Sequence, residues 1–279
     1  MNRGNILHNI EARLRPIVGE FSRIEAETIL QSVLKVSRTE LLLSPKKELE
    51  PDVSAELERI VTRRLKNEPL QYILGSAYFF DRDFTVTPKV LIPRPDTEIL
   101  VETVLLCHKH EQCRFADMCT GSGIIAAVLK NQRPSWHALG VDISIDALRV
   151  AKINSSAINL LCSDMFSAFK KGERFDFFVS NPPYICASEM KSLDKSVLDF
   201  EPRKALFGGE DGLDFYRVLA SRATDFLIDQ GHIHLEIGYN QKEAVQDILH
   251  EHGWTDIILR KDLQGHPRVV SARGKTRLS

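Results

Sequence analysis

Residues 115–123 have the sequence FADMCTGSG, in which an apolar run leads into a loop that contains two glycines. The apolar run at 115–118 has the length of a buried strand, and residues 124–131 after the loop have the apolar spacing of a helix. Glycines in such a loop let the backbone turn tightly and approach a ligand closely. The stretch therefore predicts the first strand–loop–helix unit of a parallel sheet, with a ligand site at the carboxyl end of the strand.

The same alternation of strands and helices continues to the C-terminus. A helix is predicted at 145–153, and further strands at 137–141, 158–162, 175–180, 233–237, 257–259 and 269–271. This alternation indicates an α/β fold, a Rossmann-like sheet of seven strands with helices on both faces. Only the short polar stretch 261–267 separates the last two strands, which is too short for a crossover. The last strand is therefore expected to run antiparallel to its neighbour.

The N-terminal part has helical patterns only. Apolar residues recur at three-to-four spacing in 6–18, 29–34 and 57–65. Ser22 and Glu25 have the spacing of a capping box, and Pro69 suits the first turn of a short helix that Gly75 ends. Aromatic and β-branched residues around 81–83 then predict a hairpin. We expect a small helical bundle domain over 1–75, a hairpin linker over 76–95 and a second domain over 96–279.

The composition is ordinary for a globular protein, and its net charge does not favour binding to nucleic acid. Of the 279 residues 43% are hydrophobic and 27% charged, and the formal net charge of −1 provides no global field that attracts nucleic acid. Five cysteines without a C-x-x-C pair suggest reduced thiols, and no apolar stretch reaches the length of about 18 residues that a membrane span needs. We therefore expect a cytoplasmic protein without a membrane partner. The pairs His108-x-His110 and His232-x-His234 lack a third ligand at regular spacing, so no metal site is predicted.

Asp142 follows the second predicted strand, where a carboxylate can accept hydrogen bonds from both hydroxyls of a ribose. A role as N-cap of the next helix remains open at this point. The glycine loop has Ala126 where a dinucleotide fingerprint has its third glycine or an alanine. The loop alone therefore does not distinguish a dinucleotide site from a site for S-adenosyl-L-methionine.

The tetrapeptide Asn181-Pro182-Pro183-Tyr184 follows the apolar run 177–180 and carries the predicted chemistry. An amide nitrogen is a poor nucleophile because its lone pair is delocalised into the carbonyl. The side-chain oxygen of Asn181 and the carbonyl of Pro182 can accept the two N–H groups of such an amide, and the prolines stiffen the loop. Tyr184 can pack on the flat face of the acceptor group. The tetrapeptide predicts methyl transfer to an amide-type nitrogen, although alone it also fits an ordinary turn or an adenine amine.

Together with this tetrapeptide, three further motifs carry a family resemblance. They are IPRPDTE at 92–98, FEP at 200–202 with Gly208-Gly209, and DLQG at 262–265 before RVV at 268–270. Over nearly its whole length the chain resembles the release-factor glutamine N5-methyltransferases of the HemK/PrmC type.

The resemblance implies that a helical N-terminal domain docks the protein substrate and that the second domain is an S-adenosyl-L-methionine-dependent methyltransferase sheet. The implied reaction is N5-methylation of the glutamine in the Gly-Gly-Gln motif of class-1 peptide-chain release factors, and no oligomer is required. The catalytic residues would be Asn181, Pro182 and Tyr184, and these three with Pro183 would hold the substrate amide. The cofactor would contact Cys119, Thr120, Gly121, Ser122, Gly123, Asp142, Asp164, Met165 and Asn181, with Asp142 at the ribose and Asp164 and Met165 at the adenine.

The chain departs from the family at three places. Cys119 stands where many members have glycine, Met165 stands where tryptophan is frequent, and the stretch 142–164 is several residues shorter than usual. We expect cofactor binding to survive because the cysteine side chain is compact.

Three other functions share parts of this sequence pattern. An adenine-N6 DNA methyltransferase needs a basic surface and a recognition insertion, which this sequence lacks. A glutamine methyltransferase acting on a ribosomal protein shares the catalytic motif, but the N-terminal domain and the 92–98 motif favour the release factor. An inactive binding protein is disfavoured because Gly121, Asp142 and Asn181 are all intact.

Overall fold

The computed structural model describes residues 2–275, which contain eleven α-helices and nine β-strands. The helices are α1 (Arg3–Val18), α2 (Ser22–Leu34), α3 (Arg38–Leu43), α4 (Pro51–Arg64), α5 (Leu70–Leu74), α6 (Thr97–Cys107), α7 (Ile124–Gln132), α8 (Ile145–Asn154), α9 (Lys195–Phe200), α10 (Asp214–Arg222) and α11 (Lys242–Glu251). The strands are β1 (Ser76–Phe79), β2 (Arg82–Thr85), β3 (Arg114–Met118), β4 (His137–Asp142), β5 (Asn159–Cys162), β6 (Phe175–Ser180), β7 (Leu227–Glu236), β8 (Thr255–Lys261) and β9 (Pro267–Arg273). None of these helices combines the length and the apolar character that crossing a membrane would require.

The described chain divides into two compact units. The first contains the described residues through Ser76 together with Asp194–Phe200, and the second contains Ala77–Leu193 and the described residues from Glu201 onward. The hairpin β1–β2 therefore lies almost wholly in the second unit. The sequence did not indicate that α9 belongs with the first unit, because a helix of six residues is too short to show an apolar stripe.

The first unit has a core built from the apolar stripes that the sequence predicts. Leu14 of α1, Ile29 and Leu30 of α2, and Val61 of α4 are completely buried in one cluster. Gly75 ends α5 in the left-handed conformation, as expected, whereas Pro69 is the residue before that helix. The prediction of a small N-terminal helical bundle is confirmed.

The predicted capping box at the start of α2 was wrong. Ser22 is a buried residue inside the helix, and Phe21, which precedes it, makes no side-chain cap. A 3-10 turn at Gly19–Phe21 carries the chain directly into α2. Glu25 instead accepts two hydrogen bonds from Arg64 of α4, at 2.8 Å to Nε and 3.1 Å to Nη2. A bidentate ion pair between helices therefore takes the carboxylate that sequence spacing assigned to the cap.

The hairpin β1–β2 of the second unit is tied to the glycine loop through one asparagine. Asn154, at the end of α8, donates from Nδ2 to the carbonyls of Thr85 and Ser122 at 3.0 and 2.9 Å. Its Oδ1 accepts from the amide of Thr85 at 2.7 Å. Because Asn154 is nearly buried, these bonds are shielded from water and hold the hairpin against the loop.

The seven-stranded sheet has the order β5-β4-β3-β6-β7-β9-β8. The pairs from β5 to β7 are parallel, and β9 runs antiparallel to both β7 and β8. This confirms the predicted sheet and its antiparallel last strand. The strand order reverses between β3 and β6, so a crevice opens at their carboxyl ends.

Strand β7 begins at Leu227, six residues earlier than the start of the predicted strand at 233. The additional part contains exposed Asp229 and Gln230, and Gln230 has a positive φ of 57°. The register of β6 with β7 shifts between Phe175 and Phe177. Because this segment is polar and irregular, a search for apolar runs does not identify it as part of a strand.

Three histidines from the two pairs noted in the sequence, His108, His232 and His234, form a cluster. His108 Nε2 lies 2.9 Å from His234 Nε2, and His234 Nδ1 lies 2.8 Å from the hydroxyl of Ser271. The ring of His232 packs edge-on against that of His108. Burial lowers the pKa of His108 to about 3 and lowers that of His234 well below its usual value. Both rings are therefore uncharged near pH 7. Within residues 2–275 no group of His, Cys, Asp and Glu has the arrangement of a metal site.

We expect this cluster to make the fold sensitive to acid. Because the pKa of His108 is lowered in the folded state, the unfolded chain takes up a proton near pH 6.5 that the folded chain does not, so stability falls as the pH falls. By about pH 5 the loss amounts to about 2 kcal/mol for one such histidine. Urea unfolding of the native protein and of His108→Gln from about pH 8 to about pH 5 measures the difference, since glutamine does not titrate. His110→Gln, an exposed neighbour, is the control and should follow the native profile. Parallel profiles for the native protein and His108→Gln would contradict this expectation.

Candidate active site

A cavity of about 790 Å³ lies within the second unit at the carboxyl ends of β3, β4, β5 and β6. Its size is in the range of sites for small molecules and cofactors, about 300–1,000 Å³. Most of the residues predicted to contact the cofactor or the substrate line it, namely Cys119, Thr120, Gly121, Ser122, Asp142, Asp164, Met165, Asn181 and Pro183. The structure therefore brings the three separate sequence motifs to one place. Gly123, Pro182 and Tyr184 are not part of the lining.

The two glycines of the loop have different surroundings. Both have left-handed φ values, 56° for Gly121 and 75° for Gly123. A Cβ on Gly121 would meet no atom within 4 Å, whereas a Cβ on Gly123 would lie 2.8 Å from the Cβ of Ala151. Gly121 thus allows close approach from the cavity, and Gly123 allows α7 to pack closely against α8.

Asp142 is held in place by the backbone amides of the loops beside it. Its Oδ2 accepts from the amide of Gly121 at 2.9 Å, and its Oδ1 accepts from the amide of Ser144 at 2.8 Å. Burial raises the pKa of this carboxyl, and the backbone hydrogen bonds oppose that effect. The N-cap of α8 is Ser144, whose hydroxyl accepts from the amide of Ala147. The alternative role of Asp142 as that cap is therefore wrong, and its free lone pairs remain available at the cavity.

Asp117, which lies in β3 before the glycine loop, stabilises that loop. Its Oδ2 accepts from the hydroxyl of Thr120 at 2.6 Å and from the amide of Ala126 at 3.2 Å. Its Oδ1 is buried without a hydrogen-bond partner in the described part of the chain. Burial raises the pKa of this carboxyl to about 7. This role could have been recognised in the sequence, because an acidic residue stands near the end of a buried strand just before the loop.

Cys119 and Met165, two of the three places noted as departures in the sequence, contact each other. Both have left-handed backbones, with φ of 59° and 47°. Cys119 Sγ lies 3.8 Å from Met165 Sδ. Cys119 therefore adopts a conformation that glycine adopts most easily, and its side chain contacts Met165.

The amide of Asn181 has a defined orientation. Its Nδ2 donates to the hydroxyl oxygen of Thr97 at 3.1 Å, which leaves Oδ1 as the acceptor at the cavity. Thr97 is the first residue of α6 and is 1% exposed. Within residues 2–275 the carbonyl of Pro182 receives no hydrogen bond. Two acceptors, one side-chain oxygen and one backbone carbonyl, are thus free in adjacent residues.

The loop after β6 is fixed by residues that sequence reasoning did not assign to the site. A Cβ on Gly208 would lie 2.6 Å from the carbonyl oxygen of Pro183, so glycine is needed there. Gln241 donates from Nε2 to the carbonyls of Tyr184 and Gly212 at 2.9 and 3.2 Å. Gly208 belongs to the noted glycine pair, but no signal in the sequence identified Gln241, which lies far along the chain.

Tyr184 packs against the main core of the second unit. Burial, followed by the nearby charge of Glu236, raises the pKa of its hydroxyl to about 12. The hydroxyl therefore stays protonated at neutral pH. Its predicted contact with the flat face of the acceptor group stays a prediction.

Two motifs of the family resemblance form one wall of the cavity. The buried carboxylate of Glu201 accepts from Arg94 Nη2 at 2.5 Å and from the amide of Ile92 at 3.3 Å. Arg94 lines the cavity, and so does Pro202 beside Glu201. The ion pair thereby fixes the segment that leads to Thr97.

The lining of the cavity suits a nucleoside-containing cofactor. Asp142 presents a carboxylate for hydroxyl groups, the loop 119–122 presents backbone, and Ile124, Ile125 and Val141 provide apolar surface. Asp164 and Met165 follow β5 at the same edge.

Comparisons with known proteins identify the family and the fold of the chain. A family model described as PrmC N-terminal domain matches residues 5–75, and one described as Methyltransferase small domain matches residues 95–198. The chain is 40% identical over 259 residues to the release factor glutamine methyltransferase of Koribacter versatilis, covering 91% of this chain and 92% of that protein. It is 39% identical over 272 residues to the protein of the same name from Thermodesulfovibrio yellowstonii, covering 92% and 95%. A crystal structure of a methyltransferase from Pyrococcus furiosus has the same fold, with a TM-score of 0.53 at 16% identity, covering 77% of this chain and 97% of that one.

The two loop glycines should respond differently to alanine. A left-handed alanine costs about 1–2 kcal/mol at either position. Gly123→Ala should lower the free energy of unfolding by about 1–3 kcal/mol more than Gly121→Ala, because only its methyl group is forced against Ala151. Urea unfolding of the two variants without any ligand measures the difference. Equal losses would show that Gly123 does not serve helix packing.

Proposed function

Because this chain belongs to the release factor glutamine methyltransferase family, we propose that it methylates N5 of the glutamine in the Gly-Gly-Gln motif of class-1 peptide-chain release factors, with S-adenosyl-L-methionine as methyl donor. The observation that carries the proposal is the pair of free acceptors at the end of β6. Asn181 has its Nδ2 bound to Thr97, so its Oδ1 is free beside the free carbonyl of Pro182. A primary amide has two N–H groups, which these two oxygens can accept together.

The cofactor would be held by residues of this chain around the glycine loop. When bound, S-adenosyl-L-methionine supplies an electrophilic methyl group attached to a sulfonium sulfur. Asp142 would accept hydrogen bonds from the ribose hydroxyls, and Asp164 and Met165 would lie along the adenine. Gly121 leaves the backbone open for close approach from the cavity. The amides that hold Asp142 favour its ionised form, which is the stronger acceptor.

The loop Asn181–Tyr184 would position the substrate amide. Two accepted N–H groups hold the nitrogen while it loses the planarity that makes it a poor nucleophile. Gly208, Gly212 and Gln241 keep the loop rigid, so little ordering remains when the substrate arrives. Orientation of this kind contributes up to about 7–11 kcal/mol to a bimolecular reaction.

The first unit would dock the release factor. It carries large apolar side chains that are exposed, namely Phe21, Ile24, Leu42 and Leu43. A docked protein surface would cover these side chains.

The purified protein should add one methyl group to a class-1 release factor. With S-adenosyl-L-methionine present, mass spectrometry of the digested release factor should find the additional mass on the Gly-Gly-Gln peptide. A release factor in which alanine replaces that glutamine should stay unmodified. A methyl group on another residue, or on DNA instead of the release factor, would refute the proposal.

Two substitutions should separate the roles of Asn181 and Asp142. Asn181→Ala should lower kcat by about 10²–10³-fold and leave the affinity for S-adenosyl-L-methionine nearly unchanged, because it removes an acceptor for the substrate amide. Asp142→Ala should weaken that affinity by about 10–100-fold, because it removes a charged acceptor. Calorimetry and steady-state kinetics measure the two effects. Asn240→Ala, which changes an exposed asparagine of the same unit, is the control. Loss of cofactor affinity in Asn181→Ala would contradict the assignment.

A further inference from the structure

The carboxylate of Glu236 is buried beside the catalytic loop and has no part in the function proposed above. Ser180 of β6 pairs with Leu235 of β7, so Asn181 and Glu236 are the next residues of two neighbouring parallel strands. Glu236 is 1% exposed, and its Oε2 has no hydrogen-bond partner in the part of the chain that the structure describes. A buried carboxylate without full pairing is costly, so its presence at a strand end next to the site needs a reason.

Thr97 connects this carboxylate to the catalytic amide. Its hydroxyl oxygen accepts from Asn181 Nδ2 at 3.1 Å. Since Glu236 is the strand neighbour of Asn181, its carboxylate lies near the same hydroxyl, and Thr97 lowers its pKa. Glu236, Thr97 and Asn181 therefore form a chain that runs from the interior of the sheet to the cavity.

The direction of the hydrogen bonds in this chain follows from the chemistry of its groups. An ionised carboxylate only accepts hydrogen bonds, and a hydroxyl has one hydrogen to donate. When Thr97 donates that hydrogen to Glu236, only lone pairs of Thr97 face Asn181. The amide must then present its NH₂ group to Thr97 and its oxygen to the cavity.

We propose that Thr97 and Glu236 are positioning residues, which orient the side-chain amide of Asn181 so that its oxygen faces the substrate. The proposal rests on the function proposed above, since it concerns the same substrate amide. Neither residue touches the reacting atoms. Their contribution is to exclude the flipped amide, which would present a donor where the substrate needs an acceptor.

The ionisation state of Glu236 determines whether the orientation of the Asn181 amide is fixed. Burial raises the pKa of this carboxyl to about 7, and Thr97 and the charges of Arg268 and Arg94 oppose that effect, whereas Asp96 adds to it. The groups that face Glu236 from the neighbouring elements also include Tyr184 after β6 and Tyr216 of α10, whose hydroxyl donates to the Glu236 backbone carbonyl at 2.9 Å. Protonated Glu236 can itself donate to Thr97. The hydrogen of Thr97 is then free to point at Asn181, and the orientation of the amide is no longer fixed.

Kinetics of three variants test the relay. Thr97→Val keeps the shape of the side chain but removes the hydroxyl, and should lower kcat about 10–100-fold with a nearly unchanged KM for the release factor. Thr97→Ser keeps the hydroxyl and should retain kcat within about threefold of the native protein. Thr103→Val is the matched control, because Thr103 is a buried threonine of the same helix whose hydroxyl bonds to the carbonyl of Ile99. Unchanged kcat in Thr97→Val, or equal losses in Thr97→Val and Thr103→Val, would overturn the proposal.

The pH dependence supplies a second test. The native kcat should rise as the pH increases through about 7, and Glu236→Gln should lack this step because its amide does not titrate. A step that persists in Glu236→Gln would overturn the assignment to this carboxyl.

A third measurement needs neither substrate nor cofactor. In protein labelled with ¹⁵N at asparagine, the side-chain amide signal of Asn181 is identified by its absence in Asn181→Ala. It should shift with a midpoint near pH 7 in the native protein and stay constant in Glu236→Gln. An Asn181 signal that does not respond to pH in the native protein would overturn the relay. Absence of release factor methylation by the native protein would instead refute the proposed function, and the amide signal would still decide whether the relay exists.

Discussion

The site depends on one constraint, the reversal of strand order between β3 and β6. Because β4 pairs with one edge of β3 and β6 with the other, the chain leaves the ends of these strands in opposite directions and a crevice remains between them. Parallel strands end at the same edge of the sheet, so the glycine loop, Asp142 and Asn181 meet although they are far apart in sequence. Register determines the finer arrangement. The pairing of Ser180 with Leu235 places Asn181 next to Glu236. Thr97 of α6 accepts a hydrogen bond from Asn181 at this point.

Two carboxyl groups at this edge of the sheet are buried although they are only partly hydrogen-bonded. Asp117 and Glu236 are both essentially inaccessible, each has one oxygen without a partner in the described chain, and burial raises the pKa of each to about 7. Replacement of such a group by an apolar one is often neutral or stabilising. Asp117 accepts a hydrogen bond from the hydroxyl of Thr120 in the glycine loop. Glu236 lies near Thr97 at the start of α6, and this hydroxyl lowers the pKa of Glu236. The orienting role proposed for Glu236 would account for its costly burial, and Asp117 has a comparable place beside Thr120.

The parts of the fold that could be predicted from the sequence are those fixed by local pattern. The strands around Phe115 and Phe177 are continuous buried runs, and the residues that follow them lie at the cavity as expected. The first part of β7 was missed because Asp229 and Gln230 break its pattern. Gln241, Thr97 and Glu236 were not recognised as site residues because their partners are distant in sequence. The side chain of Gln241 acts on a backbone carbonyl, and backbone acceptors leave no trace in a sequence.

Cys119 shows how a side chain on a left-handed backbone is tolerated at one position of the glycine loop and would fail at Gly123, four positions later. A left-handed conformation costs a non-glycine residue about 1–2 kcal/mol. At Cys119 this cost is offset in part by the contact of its thiol with Met165, which follows β5 with a left-handed backbone of its own. At Gly123 a side chain would add a clash with Ala151 to the same cost, and no neighbour can move without separating α7 from α8. The loop is therefore constrained at Gly123 by helix packing and is more permissive at Cys119, where the neighbouring side chain is an adaptable thioether. It follows that Cys119 and Met165 should be exchanged together, since each side chain shapes the space left for the other.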